Sequence, residues 1–318
     1  MPIAPPATLL MASALLAWTG ISAAAQETGD LAALRKEALN EVNQVRQEHG
    51  LTTLETSRVL DEAAQAHAVD MIEENYYAHV SPDGEAPRDR FLEHGGSRWK
   101  VVRENIARCS NCPVPPTLER VRSFQQGWMN SPEHRDNILA EGPGEFRLRD
   151  RGRRRPGFFA VQTFSGPGTP RGLQAGEEPT RLDTGELDDR AVEAVNRARE
   201  QQGLQPVSPN PALSRAAEKL LPEPGSSDTL ASGQHQLFDL LPQEDRRSWA
   251  GLQVLAASCG GCGTFATAED VTGFVDQWLD NPQHRSTLLS GNIDDMGFAM
   301  LTNGEGRKVA IAVAGRQR

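Results

Sequence analysis

A duplication constrains this chain more than any other feature. Trp99, Cys109, Cys112, Trp128, His134 and Arg135 recur as Trp249, Cys259, Cys262, Trp278, His284 and Arg285, each pair 150 positions apart. Tryptophan is scarce, with 5 in 318 residues, so two of them in register within one matched set do not align by accident. The chain is one module written twice. A residue kept in one copy and missing from the other is therefore a clue to function.

The duplication sets the domain plan. Residues 1–25 read as a secretory signal. Ala7 to Trp18 is an apolar run too short to span a bilayer comfortably, and Ala23-Ala24-Ala25 offers small residues for cleavage before Gln26. No Lys or Arg precedes Arg35, so the usual basic start is missing, and an uncleaved anchor is the alternative. The first repeat occupies 30–164, a Gly/Pro-rich linker 165–186, and the second repeat 187–318. No other segment is apolar enough to cross a membrane, so no transmembrane span is expected in the mature chain. Export places the protein outside the cytoplasm, secreted or periplasmic, where cysteines pair. A net charge of −10 argues against nucleic acid as a partner. The run from Arg147 to Arg155 is the local exception and reads as a solvated hairpin tip.

Each repeat opens with helices. Leu31, Leu34, Ala38, Val42 and Val45 recur at helical spacing, with Asp30 placed to cap the start. Leu60, Ala63, Ala64, His67, Ala68 and Met71 form one face of a second helix. Leu118, Val121, Phe124 and Trp128 face inward on a third, matched by Val271, Phe274, Val275 and Trp278. Strand-like runs follow at 157–164, 296–301 and 309–313. Helices precede strands instead of alternating with them, which predicts an α+β fold with helices covering a small sheet.

Three blocks carry a resemblance. They are His79-Val80-Ser81, Glu104-Asn105-Ile106-Ala107, and the run from Trp128 through Ser131-Pro132-Glu133-His134-Arg135 to Leu139. Together they resemble the signature of the CAP superfamily (cysteine-rich secretory, antigen 5 and pathogenesis-related proteins, also called the SCP domain), in its bacterial form and in tandem. Asn43, Arg46, Gly50-Leu51 and the Ala64 to Met71 run fit it too. The resemblance implies two tandem three-layer α-β-α sandwich domains. It also implies a cleft where two histidines and acidic residues converge, sometimes around a divalent metal. Carried over, the cleft residues are His79, Glu104 and His134. Ser131 and Glu133 are further candidates, although Glu133 adjoins His134 and neighbouring helix residues point about 100° apart. The eukaryotic Gly-His-Phe-Thr block is absent, so the second imidazole is assigned to His134.

Two imidazoles and a carboxylate match the ligands of an open zinc site, which makes His79, Glu104 and His134 the expected metal ligands. Plain hydrogen bonding among them is the competing reading. The partners implied by the family are lipids, small apolar ligands or cell-surface partners. A metal-assisted hydrolase is the rival class. A thiol oxidoreductase of the envelope, acting through the Cys-x-x-Cys pairs, is the third.

The second repeat replaces Glu104-Asn105 by Val254-Leu255, and His235 lies 14 residues before its tryptophan where His79 lies 20 before. It reads as a degenerate copy without a cleft. His284-Arg285 survives there, which suggests a structural role such as helix capping. His67, on an apolar helix face and matched by Leu220, reads as a satisfied core histidine. For the cysteines, two local disulfides, Cys109–Cys112 and Cys259–Cys262, fit export and the repeat symmetry. A shared four-cysteine zinc site and a thiol–disulfide couple compete. Pro113, Pro115 and Pro116 oppose a helix directly after the first pair.

Overall fold

The computed structural model describes residues 22–112, 116–140, 145–152, 157–173, 177–231 and 236–318. Repeat one runs α1 (Ser22–Glu48), β1 (Glu55–Thr56), α2 (Arg58–Glu73), α3 (Pro87–Glu93), β2 (Val101–Ser110), α4 (Leu118–Met129), α5 (Pro132–Ile138), β3 (Glu145–Gly152) and β4 (Gly157–Gly166). Repeat two runs α6 (Leu187–Glu200), β5 (Ser208–Pro209), α7 (Pro211–Leu220), a 3-10 turn (Leu237–Leu240), β6 (Trp249–Cys259), α8 (Ala268–Asp280), α9 (Pro282–Leu288), β7 (Asp295–Thr302) and β8 (Lys308–Gln317). The sheets have matching orders, β1-β3-β4-β2 and β5-β7-β8-β6. In each, the long strands pair antiparallel and the short first strand joins in parallel.

Strand periodicity explains the layering. On β8, Val309, Ile311 and Val313 face α7, while Ala310, Ala312 and Ala314 face the layer that holds Val195 of α6 and Trp278 of α8. Successive strand residues point to opposite faces, so one strand feeds two cores. Alanines opposite a tryptophan also let the layers close without voids. Repeat one does the same, with Phe159 and Val161 toward α2 and Ala160 and Phe164 toward α1 and α4. The result is α+β as expected: two tandem α-β-α sandwiches.

Two buried polar devices recur in both copies. Asn43 trades hydrogen bonds with the Leu54 backbone, and Asn196 does so with Val207. Arg46 is buried and donates to the carbonyls of Thr52, Ile138 and Ala140; Arg199 donates to those of Gln205, Leu288 and Ser290.

Three expectations need correction. Asp30 lies inside α1, so it does not cap that helix; the signal-like segment up to residue 21 lies outside the described residues. Arg147, Arg149 and Arg151 sit within β3, paired to β4, not at a hairpin tip; Arg153 to Arg155 lie outside the described residues. The Gly/Pro-rich stretch is not a free tether. Ser165 and Gly166 complete β4, Gly168 bridges Cys262, and Arg181 bridges Thr267. Its backbone groups find partners on repeat two, as buried peptide groups must. No described helix is long and apolar enough to cross a membrane.

Candidate functional site

Sheet geometry splits the Glu104-Asn105 pair between two layers. Ile106 packs with Ala64, Ala68 and Met71 of α2, so Glu104, two residues before it, faces the same layer. Asn105 faces α4 and α5.

On the α2 side, the Glu104 side chain is 2% exposed and surrounded by nitrogen donors. His79 Nδ1 lies 2.9 Å from Oε1, Arg90 Nη2 lies 3.2 Å from Oε2, and His67 Nε2 lies 3.6 Å from Oε1. Arg90 is equally buried, and it also donates to the carbonyls of His79 at 2.9 Å and Glu85 at 3.0 Å. One guanidinium thus ties the His79 loop to the Glu104 strand. The His79 ring is 46% exposed, so its outer edge meets solvent. Behind the carboxylate, the Tyr76 hydroxyl donates to Asp70 and lies 3.3 Å from His67 Nδ1. Burial and the Asp70 carboxylate raise the Tyr76 phenol well above its usual range. Burial lowers the His67 imidazole, outweighing the attraction of Glu104. His67 Nε2 makes no hydrogen bond among the described residues.

On the other side, Asn105 Nδ2 donates to Gln162 Oε1 at 2.9 Å and to the His134 carbonyl at 3.2 Å. Asn137 donates to Asn105 Oδ1 at 2.9 Å, and Gln162 passes the chain on to Gln125 at 3.2 Å. This network fixes α5 against β2. The half-buried His134 imidazole is lowered by burial first and by the neighbouring His79 second. Ser131 starts α5 without a side-chain capping bond. Glu133 is exposed and acts on the cluster only through its charge on His134.

This donor set does not fit a resident divalent metal. Among the described residues, no three His, Cys, Asp or Glu side chains converge on one cation. Glu104 already faces the Arg90 guanidinium, whose charge opposes a second cation at the same oxygens.

Of the residues named from the sequence, His79 and Glu104 are in direct contact, while His134 joins the network through its backbone carbonyl; Arg90, Tyr76, Gln125, Asn137 and Gln162 were not named. Sequence reasoning placed His67 in the core, which is right about burial, but its Nε2 is not satisfied. The missing signal was in the second repeat. At the same 150-residue offset, Arg90, Glu104, Asn105, Gln125, Asn137 and Gln162 become Leu240, Val254, Leu255, Val275, Thr287 and Ala312. Leu240, Leu255, Val275 and Ala312 are buried in its core. Arg285 Nη1 donates to the Leu279 carbonyl in the last turn of α8 at 3.4 Å, which fits the expected helix-capping role, but neither side chain of the His284-Arg285 pair caps the start of α9. The Asn281 side chain does, accepting from the amides of Gln283 and His284.

The cysteines close two local pairs, Cys109–Cys112 and Cys259–Cys262, with Cα atoms 5.8 and 6.2 Å apart and no free thiol. Neither pair stands at a helix start: α4 begins at Leu118 and α8 at Ala268. A four-cysteine zinc site is ruled out. The Cys259–Cys262 loop meets Trp99 and Val101, and eight strand steps of ~3.3 Å each separate Val101 from Cys109.

The model of the cysteine-rich secretory protein family, CAP, matches residues 39–142 and 192–314. YkwD of Bacillus subtilis, an uncharacterized protein, is 34% identical over 109 residues, which is 34% of this chain and 39% of YkwD. The uncharacterized membrane protein YlbC of the same organism is 36% identical over 104 residues, 33% of this chain and 28% of YlbC. The chain thus spans well under half the length of either relative. An extracellular SCP-domain protein of Bacillus anthracis is similar in structure, at 26% identity and a TM-score of 0.33, over 42% of this chain and 40% of that one.

Proposed function

Because this chain belongs to the cysteine-rich secretory protein (CAP) family, we propose that it is an exported binding module whose first repeat recognises an amphipathic ligand and whose second repeat does not. One observation carries this reading. Repeat two keeps the sheet order and both scaffold devices while carrying Leu240, Val254, Leu255, Val275 and Ala312 in place of Arg90, Glu104, Asn105, Gln125 and Gln162. The sandwich does not need that cluster, since buried ion pairs are often replaced by apolar side chains at no loss of stability. Repeat one keeps it for another purpose.

The surroundings suggest the ligand. Tyr77 and Val80, two residues before and one after His79, are 43% and 48% exposed. An apolar body can lie on these side chains while a polar head meets His79. With Nδ1 engaged at Glu104, the ring leaves Nε2 on its outer edge to hydrogen-bond a hydroxyl or carboxyl head. Arg90 holds both residues in place. That chemistry fits a lipid or small apolar ligand with one hydrogen-bonding head. A metal-assisted hydrolase would need a ligand set that does not converge here. A thiol oxidoreductase would need the lowered thiol pKa that a helix start supplies.

Titration of the purified chain with a fluorescent long-chain fatty acid and a fluorescent sterol tests this. Saturable binding of one of them is expected, weakened about tenfold by His79→Ala and unchanged by His284→Ala. No binding of either, or equal binding by His79→Ala, overturns it and turns attention to a protein partner. Saturable zinc uptake that disappears in His79→Ala would reinstate the metal reading.

A further inference from the structure

Trp99 and Val101 lead into β2, and Pro167 and Gly168 lead out of β4, so all lie at one end of repeat one's sheet, where Val101 pairs with Gly166. The loop closing β6 of repeat two sits on that end. The Gly261 amide donates to the Trp99 carbonyl at 2.7 Å, and the Gly263 amide to the Pro167 carbonyl at 2.8 Å. The Arg307 guanidinium stacks 4.7 Å from the centre of the Trp99 ring, and its other contacts are the carbonyls of Ser226 and Asp228.

The fit depends on the sequence between the two cysteines. Gly261 has φ +71°, and a Cβ there would stand 2.6 Å from Val101 Cγ2. Gly168 has the same φ, and a Cβ there would stand 2.1 Å from the Gly261 carbonyl oxygen. Repeat one's loop reads Ser110-Asn111, and Asn111 has a similar φ of 61° but carries a side chain. The two loops share a backbone hand, and only the second is stripped for close contact. Two adjacent glycines are also the freest of dipeptides, so ordering them on contact costs entropy that the Cys259–Cys262 crosslink removes in advance.

We propose that repeat two is a positioning clamp for the site in repeat one. Its disulfide-closed Cys259-Gly260-Gly261-Cys262 loop holds the Trp99 end of β2 and the Pro167 end of β4. Glu104 lies three residues along β2 from Val101, so the clamp holds the strand that presents it to His79. The docking stands on its own contacts; its bearing on recognition rests on the function proposed above.

Hydrogen exchange on the full chain is the test. Gly261→Val, with the disulfide intact, should speed exchange in peptides covering 97–104 and 165–168 at least about tenfold. The double variant Cys259→Ser/Cys262→Ser should do the same, and Cys109→Ser/Cys112→Ser should not. The ring-nitrogen NMR shifts of His79, which report its bond to Glu104, should move in Gly261→Val, as loss of docking alone would not make them. Should Gly261→Val fail to fold, Gly261→Ala adds only the Cβ that meets Val101. Unchanged exchange at 97–104 in a folded Gly261 variant overturns the clamp. Changed exchange with an unmoved His79 signal leaves mere domain docking and overturns the positioning role. Neither readout uses the fatty acid or the sterol, so failure of ligand binding does not decide the matter.

Discussion

The two repeats sort their buried polar groups into two kinds. Arg46 and Arg199, with Asn43 and Asn196, make the same backbone bonds in both copies. They satisfy loop carbonyls and amides that either sandwich would otherwise bury unpaired. Arg90, Glu104, Asn105, Gln125 and Gln162 are joined side chain to side chain, with Arg90 and Asn105 also donating to loop and helix carbonyls, and their counterparts are aliphatic. The Arg46 and Asn43 devices persist in both copies, whereas the side-chain network is missing from a sandwich with the same sheet order. Repeat two has meanwhile buried a different pair, Lys308 with Asp270, at positions that are Phe158 and Arg120 in repeat one. The duplicated tryptophans also diverge: Trp249 is 3% exposed inside its own core, while Trp99 is half-buried at the seam.

The sharpest way to break this comparison is to make repeat one resemble repeat two. Arg90→Leu or Glu104→Val alone leaves a buried charge unpaired and should cost about 3–5 kcal/mol. The double variant, carrying repeat two's pair, should recover most of that loss in a urea-unfolding cycle. A double variant as unstable as the two singles combined would mean the pair is needed for folding. A smaller effect comes from His67. Burial lowers its imidazole below the ordinary ~6.5, so the unfolded chain binds the proton more readily. Its stabilising contribution is complete above about pH 6.5 and is lost as pH falls toward the folded value. His67→Leu, the repeat-two residue, should therefore lose less stability than wild type on acidification, read as Tm against pH. Parallel curves would place the acid sensitivity elsewhere. The smallest effect is at α5. Ser131 makes no side-chain cap bond where Asn281 makes two, so Ser131→Asn should add about 0.5–1 kcal/mol to repeat one's stability, measured by denaturant midpoint.

Much of the fold was legible because it rests on local pattern. The buried face of α2 is the set of residues the helical spacing picks out, and strand alternation places Glu104 and Asn105 on opposite faces without further information. Export and repeat symmetry pointed to the local cysteine pairs. The His79–Glu104 contact was legible only through the resemblance, since 25 residues and a helix separate the two. Arg90 was not legible on its own. In Pro87-Arg88-Asp89-Arg90-Phe91 it looks like any surface arginine, and it becomes buried because the His79 loop and β2 close over it. The docking of 165–186 was hidden for a related reason: Gly and Pro report a local lack of regular structure and say nothing of what a distant loop offers the backbone.

The seam joins unlike surfaces: the cysteine end of one sandwich abuts the tryptophan end of the other. A heterologous joint of this kind has polarity, so the same contact repeated between further copies gives a ring or an open array. The residues that make the joint differ at the two outer ends of the pair. The outer donor loop bears Asn111 where intimate contact demands glycine, and the outer acceptor has withdrawn Trp249 into its own interior. Unequal divergence after duplication has left one asymmetric joint between two unlike copies of the same sandwich.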